Sequence, residues 1–303
     1  MAPKIMKQGI WAPLLYLLPA LLIMSVFIVY PSFNTVRLSF LDAAGEQSAA
    51  TTCLPGEPCW GAFENYRYAL TNPDMIRALR NNALWLLLMV PATVLMGLLI
   101  ALLADRVKYE PIAKSLIFMP VSISFIGAGI IWRFIYSIQT GAGEQIGLIN
   151  AILVALNKEP VAWMSNAAVN NLALMVVGVW LWAGFCMTIL SAALKSVPGE
   201  VLEAARVDGA NEFQVFFKIM LPIILPTVVV VTTTMVINVL KIFDIVFVMT
   251  GGNFGTEVIA NRMFKLIVTD TGRSMAIAVL LVVLTIPVLI FNVTRFRQQE
   301  KMR

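Results

Sequence analysis

Six stretches of the chain are apolar over long runs, and polar segments separate them: 14–33, 83–103, 116–138, 172–194, 227–249 and 275–293. Each is close to the ~20 residues that a helix needs to cross a bilayer. The pattern predicts an all-α integral membrane protein with six transmembrane helices. Lys4 and Lys7 precede the first run, as in a secretory signal, but a signal core holds only ~7–15 apolar residues. The run is therefore expected to stay as an uncleaved first helix. Segment 34–80 mixes polar residues with Trp60, Phe63, Tyr66 and Tyr68 and reads as an outer cap; 139–171, with Gly147-Leu-Ile-Asn150 and Trp163, reads as an outer loop carrying an interfacial helix. No internal repeat divides the chain, so one domain, 1–303, is expected.

Between the fourth and fifth runs the polarity changes character. Pro198 suits a helix start, and Val201, Ala204, Ala205 and Val207 lie among charges as in a short surface helix. Gly209 is placed to stop it, since glycine takes positive φ without steric cost. Asn211 and Gln214 have capping-box spacing, and Phe213, Phe216, Phe217 and Met220 fall on one helical stripe before Pro222 and Pro226.

Charge gives this pattern a direction. The tails 1–10 and 295–303 and the loops on their side, including 195–221, hold 12 basic residues in about 58 positions. The opposite loops hold 8 in about 109, and Arg133 and Lys241 lie inside runs. By the positive-inside rule both termini and the 195–221 loop are cytoplasmic. Cys53 and Cys59 then lie outside, where their short spacing in a polar loop permits a disulfide. Cys186, in an apolar run, is expected to be inert packing.

Composition narrows the function. Hydrophobic residues make up 59% of the chain and charged residues 13%, with a mean hydropathy of +0.85, well outside the range of soluble domains. There is no histidine, no Walker phosphate loop and no Cys/His cluster with metal spacing. A catalytic role is not expected, nor is a bound cofactor, and no basic stripe points to nucleic acid. Polar groups within the runs are the candidates for a solute path. Thr234, Asn238 and Lys241 rise as a stripe on the fifth run, Lys241 is spaced to pair with Asp244, and Trp180, Trp182 and Phe243 offer faces for a sugar ring. Arg133 is placed to snorkel outward. Two other classes remain open on these residues: a membrane-embedded enzyme using Lys241 and Asp244, and an ion-coupled secondary transporter.

The segment Glu203-Ala204-Ala205, three residues, Gly209, nine residues, Ile219, one residue, Leu221-Pro222 resembles the EAA loop of binding-protein-dependent ABC importer permeases. Phe243-Asp-Ile-Val and Thr250-Gly-Gly252, with Trp132-Arg133 and Gly147-Leu-Ile-Asn150, are similar to the carbohydrate-uptake (maltose/α-glucoside-like) branch. Where that branch commonly continues Thr-Gly-Gly-Gly-Pro, this chain has Thr250-Gly-Gly-Asn253-Phe-Gly-Thr-Glu257. The resemblance implies a multi-pass subunit of the bacterial or archaeal inner membrane. Its implied partners are a second homologous permease, two ATPase subunits that carry ATP and magnesium, and an extracytoplasmic substrate-binding protein. It implies ATPase coupling through Glu203, Ala204, Ala205, Asp208, Gly209, Phe213, Phe216, Phe217, Ile219, Leu221 and Pro222. It also implies a solute path at Gly178, Trp182, Met235, Asn238 and Ile242, to which the polar stripe adds Lys241.

Overall fold

The computed structural model describes residues 11–41, 63–105, 107–139 and 145–302. The Cys53–Cys59 pairing lies outside the described residues. Fourteen α-helices follow one another along these segments. The first apolar run is α1 (Trp11–Met24), a π-turn over Ser25–Val29, and α2 (Tyr30–Leu38). After α3 (Glu64–Thr71), α4 (Pro73–Ala104) begins ten residues ahead of the expected second span. Its start is built from Asn72, whose side chain accepts the Asp74 N–H at 3.0 Å, Pro73 in the first turn, and the Asp74 charge at the positive end of the helix.

The third run departs from a straight span. It forms α5 (Glu110–Phe118), a 3₁₀ turn over Met119–Ser122 and α6 (Phe125–Ile135), and the two halves are bent by 100°. Pro120 removes a backbone donor, Ile123 and Ser124 are extended (ψ 136° and 137°), and Ser124 Oγ accepts from Gly127 N at 3.4 Å to start the second half.

Next come α7 (Leu148–Ala155), α8 (Asn170–Lys195), α9 (Gly199–Val207), α10 (Glu212–Val215), a π-turn over Phe216–Met220 and α11 (Leu221–Leu240). The chain closes with α12 (Asp244–Met249), α13 (Ile259–Leu266) and α14 (Thr271–Met302). Both π-turns run into a helix whose second residue is proline, Pro31 in α2 and Pro222 in α11. A proline ring clashes with the carbonyl four residues back, and a widened turn relieves that clash. Among the described residues five helices are long and apolar enough to cross a membrane, or six with the bent pair taken as one span.

The described residues form two compact units, one from the part up to Ala69 together with Lys265–Leu280, the other from Leu70–Phe264 with Leu281 onward. In the first, Asn65 donates to the carbonyls of Ser39 (2.9 Å) and Leu41 (2.8 Å), Tyr66 bonds the Ser39 hydroxyl at 2.6 Å, and the Phe40 and Phe63 rings meet edge to face. Arg273 lies over the Tyr68 ring at 4.5 Å and pairs with Asp270.

The second unit is built on α4, α8 and α11. Trp85, Met89, Leu174, Leu181, Met187, Leu190 and Met235 fill its core. Close backbone approach holds the pair α4 and α8: a Cβ at Gly97 would overlap Cys186. Small residues of this kind let helices pack where lipid supplies no hydrophobic drive. Cys186 is fully buried there.

Candidate functional site

The lever between the fourth and fifth spans is two helices hinged on a glycine. Gly209 takes φ +80° with open space around it, and Asn211 and Gln214 form a reciprocal capping box (2.9 and 3.0 Å) that starts α10. Arg206 on α9 donates from Nε to Glu212 Oε1 at 2.9 Å. That hydrogen bond, with the Glu212 and Glu203 charges, holds the Arg206 pKa above its ordinary value.

Of the expected coupling residues, Ala205 is buried and Phe216, Ile219 and Leu221 are half-buried. Glu203, Ala204, Asp208, Gly209, Phe213, Phe217 and Pro222 are exposed. The phenylalanine stripe is split by this exposure. Phe213 and Phe217 meet outside with tilted rings 4.4 Å apart, while Phe216 and Met220 turn inward to line a cavity of about 610 Å³ with Leu102, Asp105, Lys195 and Leu202. Val215, which the stripe did not include, is the lever's buried anchor.

Beside this cavity an ion network ties three spans together. Lys114 of α5 reaches Asp105, Glu110 and Ser191 of α8, Lys195 reaches Glu110, and Ser191 donates to Asp105 at 2.8 Å. Across the cavity, the lever faces the ends of α4 and α8 that this network joins to α5.

At the far ends of the spans, two breaks face one cavity. The fifth run does not continue to 249 as expected: α11 stops at Leu240, and Phe243 (φ −138°) leaves the helical region before α12 starts. Asn82 of α4 makes this stop possible by donating to the carbonyls of Val239 (3.4 Å) and Leu240 (3.2 Å), two groups a helix end leaves unpaired. Lys241 and Asp244 consequently flank a break and form no ion pair, contrary to the expected i, i+3 pairing.

The break in the third run brings Phe125 to the same place. A cavity of about 180 Å³ is lined by Phe125, Trp182, Asn238, Lys241, Ile242 and Phe243, with Asp244 and Ile245. Phe125 and Trp182 lie 5.8 Å apart at 31°. Asn238 donates to Thr234 O at 3.1 Å, which leaves its side-chain oxygen without a donor among the described residues, and the Thr234 hydroxyl turns back to Val230 O.

Four of the six expected path residues meet here: Trp182, Asn238, Lys241 and Ile242. Gly178 and Met235 do not. Met235 is 1% exposed, and Gly178 lies under the Met89 side chain, so both are helix packing. Arg133 donates to Val248 O at 3.3 Å, tying α6 to α12.

Residues 74–297 match the family described as binding-protein-dependent transport system inner membrane component. The chain belongs to that family. It is 49% identical over 291 residues to the osmoprotective compounds uptake permease protein GgtC of Synechocystis sp., covering 95% of this chain and 100% of the relative. It is 44% identical to the α-glucoside transport system permease protein AglF of Rhizobium meliloti, covering 93% and 81%. A bacterial ABC transporter that imports the acidic polysaccharide alginate shares the fold, with a TM-score of 0.76 at 20% identity over 96% of both chains.

One part of this inner membrane component was not foreseen. Asparagines hold the segment after α12, where Gly251, Gly252, Phe254 and Gly255 all take positive φ. Asn81 donates to the carbonyls of Gly255 and Glu257 (both 2.7 Å), Asn170 to Phe254 O (2.8 Å), and Asn261 to Gly251 O and the buried Glu257 carboxylate. Asn81 and Asn82 sit at the start of the second apolar run, where adjacent amides before a long apolar stretch are the one sequence signal for this role.

Proposed function

We propose that this chain is the permease subunit through which a sugar, glycoside or related neutral solute crosses the inner membrane, driven by ATPase subunits that dock on the lever. The whole chain, 1–303, acts as one permease domain alongside a second homologous subunit, with a solute-binding protein delivering the cargo from outside. ATP and magnesium belong to the ATPases. The observation that carries the solute class is the cavity at the paired breaks, which combines two neighbouring aromatic rings with an amide oxygen open to a hydroxyl donor. Sugars are held by ring stacking and hydrogen bonds of this kind. The names of the two relatives, one for α-glucosides and one for osmoprotective compounds, fit the same class.

Coupling follows from the lever's two ends. Its outer face, with Glu203, Asp208, Phe213 and Phe217, is free to enter a partner, and its inner residues Leu202, Phe216 and Met220 pack on the buried core and share a cavity with the ends of α4 and α8. A push on the lever is thereby passed to the spans, while α6 and α12, each joined to its parent span through a break, open and close the far side as one piece. Ala204, Ala205, Gly209, Ile219, Leu221 and Pro222 set the lever's shape.

The test is mutation of the lever in the complete importer. Gly209→Val forces a β-branched residue into positive φ, at a cost on the order of 1–3 kcal/mol, and tilts α10. Glu203→Lys reverses an exposed charge without touching the fold. Both variants are expected to insert in the membrane, to lose co-purifying ATPase, and to lose solute-stimulated ATP hydrolysis together with uptake. Wild-type ATPase binding and uptake in both would remove the lever from the mechanism.

A further inference from the structure

A second groove lies at the end of α4 opposite the lever, and neither solute nor ATPase accounts for it. It has a volume of about 410 Å³ and runs between α4 and α8, with Arg77 and Arg80 toward the start of α4 and Leu84, Leu88, Asn171 and Leu172 farther along. On α4 the residues 77, 80, 84 and 88 fall on one helical face, so the guanidiniums stand directly above the leucines. Leu88 is 44% and Leu172 51% exposed.

The arginine end carries surplus positive charge. One carboxylate, Asp74, is shared by Arg262 at 3.2 Å and Arg77 at 3.8 Å, and Arg80 has no ion pair among the described residues. Asn171 accepts the Trp85 indole N–H at 3.2 Å, which leaves its side-chain NH₂ without an acceptor among the described residues. Forked guanidinium donors match the oxygens of a phosphate. The leucines stand on α4 and α8, two helices long and apolar enough to cross a membrane, and Leu88 and Leu172 are exposed along them.

We propose that this groove holds one phospholipid with an anionic headgroup, its phosphate on Arg77 and Arg80 and one acyl chain along Leu84, Leu88 and Leu172. A neutral solute needs neither arginine. An acidic protein face would use the arginines and leave the leucines uncovered.

The experiment delipidates the complete importer in detergent, offers phosphatidylglycerol or phosphatidylcholine, and counts retained lipid by native mass spectrometry. The wild type is expected to keep phosphatidylglycerol in preference to phosphatidylcholine. In Arg77→Gln/Arg80→Gln the affinity for phosphatidylglycerol should fall roughly 30-fold, the worth of two basic side chains at an anionic surface, with phosphatidylcholine unchanged. Arg77→Lys/Arg80→Lys, which keeps the charge but not the fork, should fall between the two. Equal phosphatidylglycerol retention in wild type and the glutamine variant overturns the proposal. So does unchanged lipid with weakened capture of the solute-binding protein, which would make the groove a protein-docking site.

Discussion

Asn150 uses every hydrogen-bonding position of its side chain. Its amide donates to the carbonyls of Ser137 (2.9 Å) and Val161 (3.0 Å), and its oxygen accepts from Val161 N (2.9 Å) and the Trp163 indole (3.1 Å). Fully buried, it staples the loop after α6 to the approach to α8. Asn150→Ala would orphan three groups, since the Val161 carbonyl keeps the Trp163 N–H, so a loss of about 2–4 kcal/mol is expected, read as a lower unfolding temperature of the purified subunit. Asn238 differs, because one of its bonding positions is left open at the cavity. If a solute hydroxyl fills it, Asn238→Leu should cut transport efficiency roughly 5- to 150-fold, the value of about 1–3 kcal/mol, with assembly intact. Uptake at the wild-type rate would take Asn238 out of the path. At this scale the sequence displayed which residues are unusual but not what they touch. Asn150 stood out in Gly147-Leu-Ile-Asn150, yet its partners at 137, 161 and 163 meet only after a helix and a turn have folded between them. Gly178 and Met235 lie in helix packing and not at the cavity for the same reason: an apolar helix gives no sign of which face its neighbours will cover.

Among the elements, local signals were the readable ones. The lever was legible because its parts act within a few residues of each other: a glycine at positive φ, a capping box three residues long, a proline that ends the turn. The breaks in the third and fifth runs were harder. Pro120 is visible, but the end of α11 depends on Asn82, 157 and 158 residues away from the carbonyls it donates to. The halves beyond the breaks pack on each other, with a Cβ built at Gly129 only 3.1 Å from Val248 Cβ and Arg133 bonded to Val248 O. If α6 and α12 move as one piece, a cross-link between Gly129→Cys and Val248→Cys should form under mild oxidation and leave uptake close to the uncross-linked level. Loss of uptake on oxidation, restored by reductant, would mean that the two halves must part.

For the molecule as a whole, hydropathy located five long apolar helices and the bent pair among the described residues, most ends to within about ten residues. The fifth helical stretch starts at Glu212, well ahead of 227. Apolar length is what a bilayer tests directly. Orientation rests on the basic residues alone and is checked by labelling. Single cysteines replacing Lys4 and Lys301 in a cysteine-free chain should be protected from impermeant maleimide in intact cells, while one replacing Lys158 should react. The reverse pattern would turn the lever to the outside and end its role with ATPases. The Asn82 cap also bears on how the chain is made. Spans enter the bilayer in order of synthesis, so α4 arrives with a polar amide whose acceptors do not yet exist. Until α11 is threaded beside it, that amide can only be covered by water or by a borrowed partner. The stop in α11 is thus written twice, once at each end of a long interval of translation. A change at position 82 should leave those two main-chain carbonyls uncapped whatever side chains stand at 239 and 240.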